Sequence, residues 1–149
     1  MSKATFRALD AGVIWLVVKG DLVVDGLYED TCNDAPDHVF IAGSLHAADV
    51  ITAGALDVGG DLVASGIIVG DYNDGDAHVR GDLRARLVAP YDHAFRVDGK
   101  VRVDAMLVRD SEKAVRGTKG TSWDDLELAD VFTEDELLSR LRKRLPVLA

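Results

Sequence analysis

A seven-residue pattern that returns five times constrains this chain more than any other feature of its sequence. The pattern reads aliphatic-x-Gly-x-aliphatic-x-small aliphatic. Its central glycines are Gly20, Gly43, Gly60, Gly81 and Gly99. Because every second side chain of a strand points to the same side, Val18 and Leu22 are expected to point inward and Asp21 outward. The glycine marks a corner, where the chain needs backbone angles that other residues rarely adopt.

Successive glycines of this pattern lie 23, 17, 21 and 18 residues apart, and two further short aliphatic stretches follow each of them. Three short strands joined by tight corners make one coil of a solenoid, and repetition at such a period is typical of stacked coils. The sequence therefore predicts an all-β fold, a parallel β-helix of about five coils over residues 13–108, right-handed by preference. A β-sandwich stays open as an alternative, because Asp-Gly pairs typical of hairpin turns occur at 25–26, 74–75 and 98–99.

The two ends of the chain are expected to cover the open ends of this solenoid. Residues 1–12 are predicted to form an N-terminal cap, 109–122 a linker, and 123–149 a C-terminal capping segment. Within that segment a helix is predicted over 133–144, since Thr133 and Glu136 form a capping box. Its apolar stripe, which is expected to lie on the last coil, consists of Leu137, Leu138, Leu141 and Leu145.

Charge and composition exclude several classes of partner. The net charge is −9, and an acidic surface repels nucleic acid and anionic membranes. No apolar run approaches the length of a membrane span, and the N-terminus lacks a signal-peptide core. The single cysteine, Cys32, excludes an internal disulfide framework, so a reducing cytoplasm is expected.

Three insertions, at 28–38, 70–78 and 89–93, fall at the predicted corner between one coil and the next. Insertions at equivalent corners stack along one edge of a solenoid, and such an edge is often the binding face. Tyrosines beside carboxylates are suited to recognise a basic protein. The predicted partner-binding residues are Tyr28, Glu29, Asp30, Asp34, Asp37, Asp71, Tyr72, Asp74, Asp76, Tyr91 and Asp92.

Metal sites and catalytic sites have little support in the sequence. The segment 71–76 resembles a calcium loop, but its glycine is fifth rather than sixth. Three histidines, His38, His78 and His93, would meet and hold zinc only if the corner loops stack in register. No nucleophile–base pattern and no phosphate-binding loop is present. The sequence therefore predicts no catalytic residues, no metal and no cofactor.

The Val-x-Gly-Asp-Leu-x-Val/Ala repeats at 18–24, 58–64 and 79–85 resemble those of bacterial polymer-forming, bactofilin-like β-helix proteins. That resemblance implies a structural protein that self-assembles without a nucleotide. The acidic corner loops and the C-terminal helix are departures from the bactofilin pattern. Short acidic solenoids also resemble immunity proteins that neutralise basic toxins. The function expected first is a non-enzymatic, monomeric or small-oligomeric inhibitor of a basic partner protein, with self-assembly as the alternative.

Overall fold

The computed structural model of this chain describes residues 6–7, 15–30, 32–33, 35–36, 38–71, 75–91, 93–106, 134–145 and 147. It is a β-solenoid of about four turns with a single C-terminal helix, which confirms the predicted parallel β-helix. In chain order the elements are β1 (Phe6–Arg7), β2 (Trp15–Val18), β3 (Leu22–Val23), β4 (Leu27–Glu29), β5 (Cys32–Asn33), β6 (Ala35–Pro36), β7 (His38–Ile41), β8 (Leu45–Ala47), β9 (Asp49–Thr52), β10 (Ala55–Val58), β11 (Leu62–Ala64), β12 (Ile67–Gly70), β13 (Asp76–Val79), β14 (Leu83–Pro90), β15 (Ala94–Val97), β16 (Val101–Met106) and α1 (Glu134–Lys143).

The coils stack into three faces. The first face is the five-stranded sheet β2–β7–β10–β13–β15. The second face comprises β3, β8, β11 and the first halves of β14 and β16, and the third comprises β1, β4, β9, β12 and the second halves of those two strands. All pairs in these faces are parallel, so equivalent residues of successive coils lie beside one another. Only the short pair β5–β6, inside the first insertion, is antiparallel in the described chain.

The core is built from columns of identical positions. Val18, Ile41, Val58, Val79 and Val97 form one inward column of the first face. A column on the second face consists of Leu22, Leu45, Leu62, Leu83 and Val101. These side chains belong to one apolar cluster that fills the interior of the solenoid. Stacking like on like lets aliphatic side chains of similar size fill each layer without large gaps.

The corner glycines lie directly on one another, between the first and second faces. The N–H of Gly43, Gly60, Gly81 and Gly99 each donates to the carbonyl oxygen of the glycine one coil before, at 2.8–3.0 Å. None of the five corner glycines has a φ in the left-handed region, so special backbone angles are not why glycine stands there. The reason is close approach: a Cβ on Gly81 would lie 2.7 Å from the carbonyl carbon of Gly60.

The residue after each of the first four corner glycines joins successive coils through its side chain. Oδ1 of Asp21 accepts from the N–H of Ser44, whose own Oγ accepts from the N–H of Asp61. Asp61 and Asp82 repeat the contact to the following coil, at 2.8 and 2.9 Å. The hydrogen bond from Lys100 is the main cause that holds the pKa of Asp82 below its ordinary value. Side chains expected only to face solvent therefore also tie the coils together.

Helix α1 is present as predicted, but it packs on the side of the solenoid. Leu137, Leu138 and Leu141 are buried in a cluster with outward residues of the third face. That cluster extends from Leu27 in the first coil to Ala105 in the last. Arg142 Nε donates to Oε1 of Glu29 at 2.7 Å, which fixes the helix beside the first coil. The expected position, over the end of the last coil, is thus replaced by a lateral one.

The C-terminal end of α1 also departs from expectation. Leu145, assigned to the apolar stripe, is 47% exposed. Arg144 has a φ of 58°, and the N–H of Leu145 donates to the carbonyl of Arg140, so the helix ends in a Schellman turn before Leu145 can join the stripe. In the part of the chain that the structure describes, no helix is long and apolar enough to cross a membrane. The predicted linker 109–122 and Thr133 lie outside the described residues.

Candidate interaction surface

Four residues of the predicted acidic edge are buried. Tyr28 points into the core, Glu29 lies under α1, and Asp30 and Tyr91 are covered as well. This burial contradicts the expected exposure of these four side chains, so they cannot form a docking surface as the chain is folded. Asp71 is half-buried and Asp76 is exposed, the latter on the first face. The remaining members, Asp34, Asp37, Tyr72, Asp74 and Asp92, lie outside the described residues.

Asp30 is a structural carboxylate between the first and second coils. Its Oδ1 accepts from Thr52 Oγ1 at 3.1 Å and from the N–H groups of Ala53 and Gly54 at 2.8 Å each. Tyr28 Oη donates to its Oδ2 at 2.9 Å. Burial raises the pKa of Asp30 above its ordinary value, and these hydrogen bonds oppose the rise. This contact set holds the turn 52–54 against the end of β4.

The three histidines considered as zinc ligands have separate surroundings. The His38 ring stacks on Trp15, with centroids 4.4 Å apart. His78 Nε2 lies 2.8 Å from Oδ2 of Asp98, and this hydrogen bond is the main cause that lowers the pKa of Asp98. His93 is buried with its ring edge-on to Phe95. No group of three or more potential metal ligands occurs among the described residues.

An apolar patch is exposed on the first two coils of the first face. Trp15 is 64% exposed, Val17 59% and Phe40 37%. Parallel register places Trp15 beside His38 and Val17 beside Phe40. We call these four residues the aromatic patch. Large apolar side chains grouped on a surface are typical of interaction sites. This patch was not among the predicted binding residues, although the apolar run 13–18 contained its signal: alternate residues of such a strand must point outward.

A depression of about 310 Å³ adjoins the aromatic patch. Its outward walls are Trp15, His38 and Phe40 on one side and Asp57, Asp76 and His78 on the other. Ala55 lies between His38 and Asp76 in one row of the face. The depression exists because this small side chain stands between larger neighbours.

Charge is distributed unevenly along the sequence. Residues 1–74 contain 12 acidic and 3 basic side chains, whereas residues 75–149 contain 14 of each. The whole net charge therefore belongs to the half of the chain that contains the aromatic patch. Asp21 and Asp25 are exposed in the same coil as Trp15. Of the described carboxylates, Asp57 and Asp76 line the depression that adjoins the patch.

A second depression, of about 280 Å³, lies where the C-terminal end of α1 meets the corner between the second and third faces. Leu27, Ile67, Leu141 and Val147 line it, and all four belong to the cluster that holds the helix on the solenoid. This depression is therefore part of the helix–sheet contact.

Comparison with known proteins adds no relative. No family model, no curated protein and no solved structure matches this chain.

Proposed function

We propose that this chain is a non-enzymatic protein-binding module that docks a partner protein on its first face, at the aromatic patch. The observation that carries the proposal is the exposure of Trp15, Val17 and Phe40 together on one side of a parallel sheet. Tryptophan contributes large contact area, and tryptophans at the centre of interfaces often account for much of the binding free energy. A parallel sheet with successive coils joined by side-chain hydrogen bonds keeps such a surface preorganised.

The partner that suits this surface is a basic protein. Asp57 and Asp76 line the depression beside the apolar residues, and Asp21 is exposed in the coil that contains Trp15. Carboxylates near a docking surface accelerate association with a positively charged protein, and this effect weakens as salt is added. In this proposal the module acts as an inhibitor of the immunity or antitoxin kind, in a reducing cytoplasm. The corner carboxylates that are buried take no part, and the acidic side chains proposed to act beside the patch are Asp21, Asp57 and Asp76.

A Trp15→Ala variant is expected to lose the partner, with a fall in affinity of about tenfold or more because a central aromatic anchor has been removed. Wild type, Trp15→Ala and Val23→Ala are immobilised and exposed to lysate of the source organism at low ionic strength. Val23 is the matched control, since it is 68% exposed but lies on the second face. We expect a basic protein, identified by mass spectrometry, on wild type and Val23→Ala only, and released by salt. Equal retention on all three baits, or none, would contradict the proposal.

Self-assembly is a second candidate, favoured by Gly20. At the four later corner glycines a Cβ would clash with the coil before, so glycine is required there. A Cβ on Gly20 would meet nothing within 4 Å. A second copy stacked in the same register would place its Gly99 there, with Asp98 beside Lys19 and Lys100 beside Asp21. Opposite charges would then meet on both sides of the glycine corner. Strand β1, which pairs with β4, would have to leave its place on the third face.

A Gly20→Ala variant separates the two candidates. Its free energy of unfolding is expected to stay within about 0.5 kcal/mol of wild type, because the added methyl group meets open space. Under self-assembly, light scattering of wild type grows with protein concentration and that of Gly20→Ala does not. Scattering from wild type that is independent of concentration would rule out assembly through this end.

A further inference from the structure

We infer that the depression beside the aromatic patch receives one cationic side chain of the partner, an arginine or a lysine. This inference rests on the proposed docking function and names the chemistry of its central contact. The depression offers aromatic surface on one side and carboxylates on the other, and an extended cationic side chain needs both.

The aromatic side of the depression would contact the alkyl stem of the partner's arginine or lysine and would attract part of its positive charge. Trp15 and Phe40 border the depression from the first two coils, and the His38 ring lies stacked against Trp15 at an interplanar angle of 11°. A cation held over the face of tryptophan is attracted by the negative charge of the ring face. The stems of lysine and arginine are apolar and pack on such surfaces while the charged group extends further.

The acidic side of the depression would bind the guanidinium or ammonium group of that side chain. Asp76 is exposed and makes no hydrogen bond or ion pair with any described residue, so its carboxylate is available. Asp57 Oδ2 already accepts from Arg80 Nη2 at 3.0 Å, which demonstrates that this carboxylate can bind a guanidinium. Its Oδ1 is buried and has no hydrogen-bond partner among the described residues. A cation entering the depression would supply the charge that these carboxylates need, whereas an anion would be repelled.

The neighbouring basic side chains do not fill this role. His78 Nε2 is bound to Asp98 of the next coil, and Arg96, which is itself in that last coil, also donates from Nε to Asp98 at 3.2 Å. Arg80 pairs with Asp57 from outside the depression, which it does not line. The depression therefore presents an unfilled space between rings and carboxylates.

The probes for this site are three capped octapeptides that alternate glycine with arginine, with lysine or with uncharged citrulline. Each is titrated into the ¹⁵N-labelled full chain, and amide and indole resonances are followed. We expect saturable shifts at residues 15, 38–40, 55–57 and 76–78 with a cationic peptide, and weaker binding as salt is added. The arginine and lysine arms show which cation is preferred. Equal shifts with the citrulline peptide would overturn the inference.

Filling the depression provides the sharpest variant. Ala55→Leu is expected to weaken binding of the cationic peptide at least tenfold, because the added side chain occupies the site. Ala94→Leu is the matched control: Ala94 stands in the same row as Ala55 but in the last coil, where it is exposed. Asp76→Asn is expected to weaken binding about two- to fivefold, as for a partly exposed ion pair. Asp25→Asn, with the same change of charge elsewhere on the surface, should leave it unchanged.

Capture of the natural partner then distinguishes the two proposals. If Trp15→Ala loses the partner and Ala55→Leu retains it, docking on the first face stands and the cation site is wrong. If both variants retain the partner, the docking proposal itself falls. If both lose it and Ala94→Leu retains it, both proposals are supported. Far-ultraviolet circular dichroism of each variant checks that the solenoid has formed.

Discussion

A Leu62→Ala variant is expected to unfold with a free energy about 2–5 kcal/mol below that of wild type. Leu62 is fully buried at the centre of the leucine column, with Leu45 on one side and Leu83 on the other. Truncation removes the transfer free energy of three carbon atoms and leaves a cavity. The neighbours cannot collapse into that cavity, because hydrogen bonds between adjacent strands fix the spacing of the coils.

Urea unfolding followed by circular dichroism measures this effect, with Val63→Ala as the control. Val63 is the next residue along the same strand but points outward and is half-buried, so its loss is expected to cost less than about 1 kcal/mol. Leu22→Ala tests the position dependence. Leu22 is in the same column but at the first coil and is only half-buried, so its cost is expected to fall between the two. Equal destabilisation by Leu62→Ala and Val63→Ala would mean that the column is not the core.

The repeating part of the fold could be predicted from the sequence because one residue type recurs at each position. The glycine corner and the alternation around it predict that the side chains of Leu22 and Leu45 point inward. Parallel pairing of the strands then follows from the repeat. The physical role of the glycines could not be predicted. Whether glycine serves a special φ or a close approach depends on the neighbouring coil, and the Gly60–Gly81 contact is visible only once the coils are stacked.

The sequence of the third strands contains a signal for the position of α1, because these strands do not alternate between apolar and polar residues. The third strands read Val50–Ile51, Ile67–Ile68–Val69 and Leu87–Val88–Ala89, without a polar residue at every second position. Continuous apolar runs are typical of strands that are covered on both sides. An amphipathic helix and a sheet with a second apolar side each need an apolar surface to cover them. The lateral packing of α1 on the third face buries the apolar side of both.

The candidate site was harder to predict because burial depends on what covers a face. Tyr28, Glu29 and Asp30 are polar or amphipathic residues at a loop boundary, where exposure is the ordinary expectation. In the folded chain Tyr28 takes an inward position, α1 covers Glu29, and Asp30 binds a turn 22–24 residues further along. Trp15, an apolar residue in a predicted strand, is exposed instead. The residue types of Tyr28, Glu29 and Asp30 suggest exposure, and only the contacts in the folded chain show that these side chains are buried.

Asp30→Ala is expected to lower the free energy of unfolding by about 3–5 kcal/mol. The substitution leaves the N–H groups of Ala53 and Gly54 and the hydroxyl of Thr52 without their acceptor, and buried donors left unpaired cost about 1–3 kcal/mol each, less than additively. Asp30→Asn is the matched variant. Its amide oxygen can keep the contacts of Oδ1, while Tyr28 Oη accepts from the amide nitrogen, so a loss of about 1–2 kcal/mol is expected. Equal stability of the two variants would show that the carboxylate does not hold the turn.

The pH dependence of the same comparison tests whether Asp30 is a titrating group in the fold. Burial raises the pKa of Asp30 above the ordinary value of 3.8, so between that value and the raised pKa the folded chain binds more protons than the unfolded chain. Stability contributed by this group therefore falls as pH rises through that window. Asparagine does not titrate. The free energy of unfolding of wild type minus that of Asp30→Asn should accordingly decrease from pH 4 upwards, as measured by urea unfolding at a series of pH values. A difference that increases with pH would mean that hydrogen bonding outweighs burial and that Asp30 is ionised more readily in the folded chain than in the unfolded one.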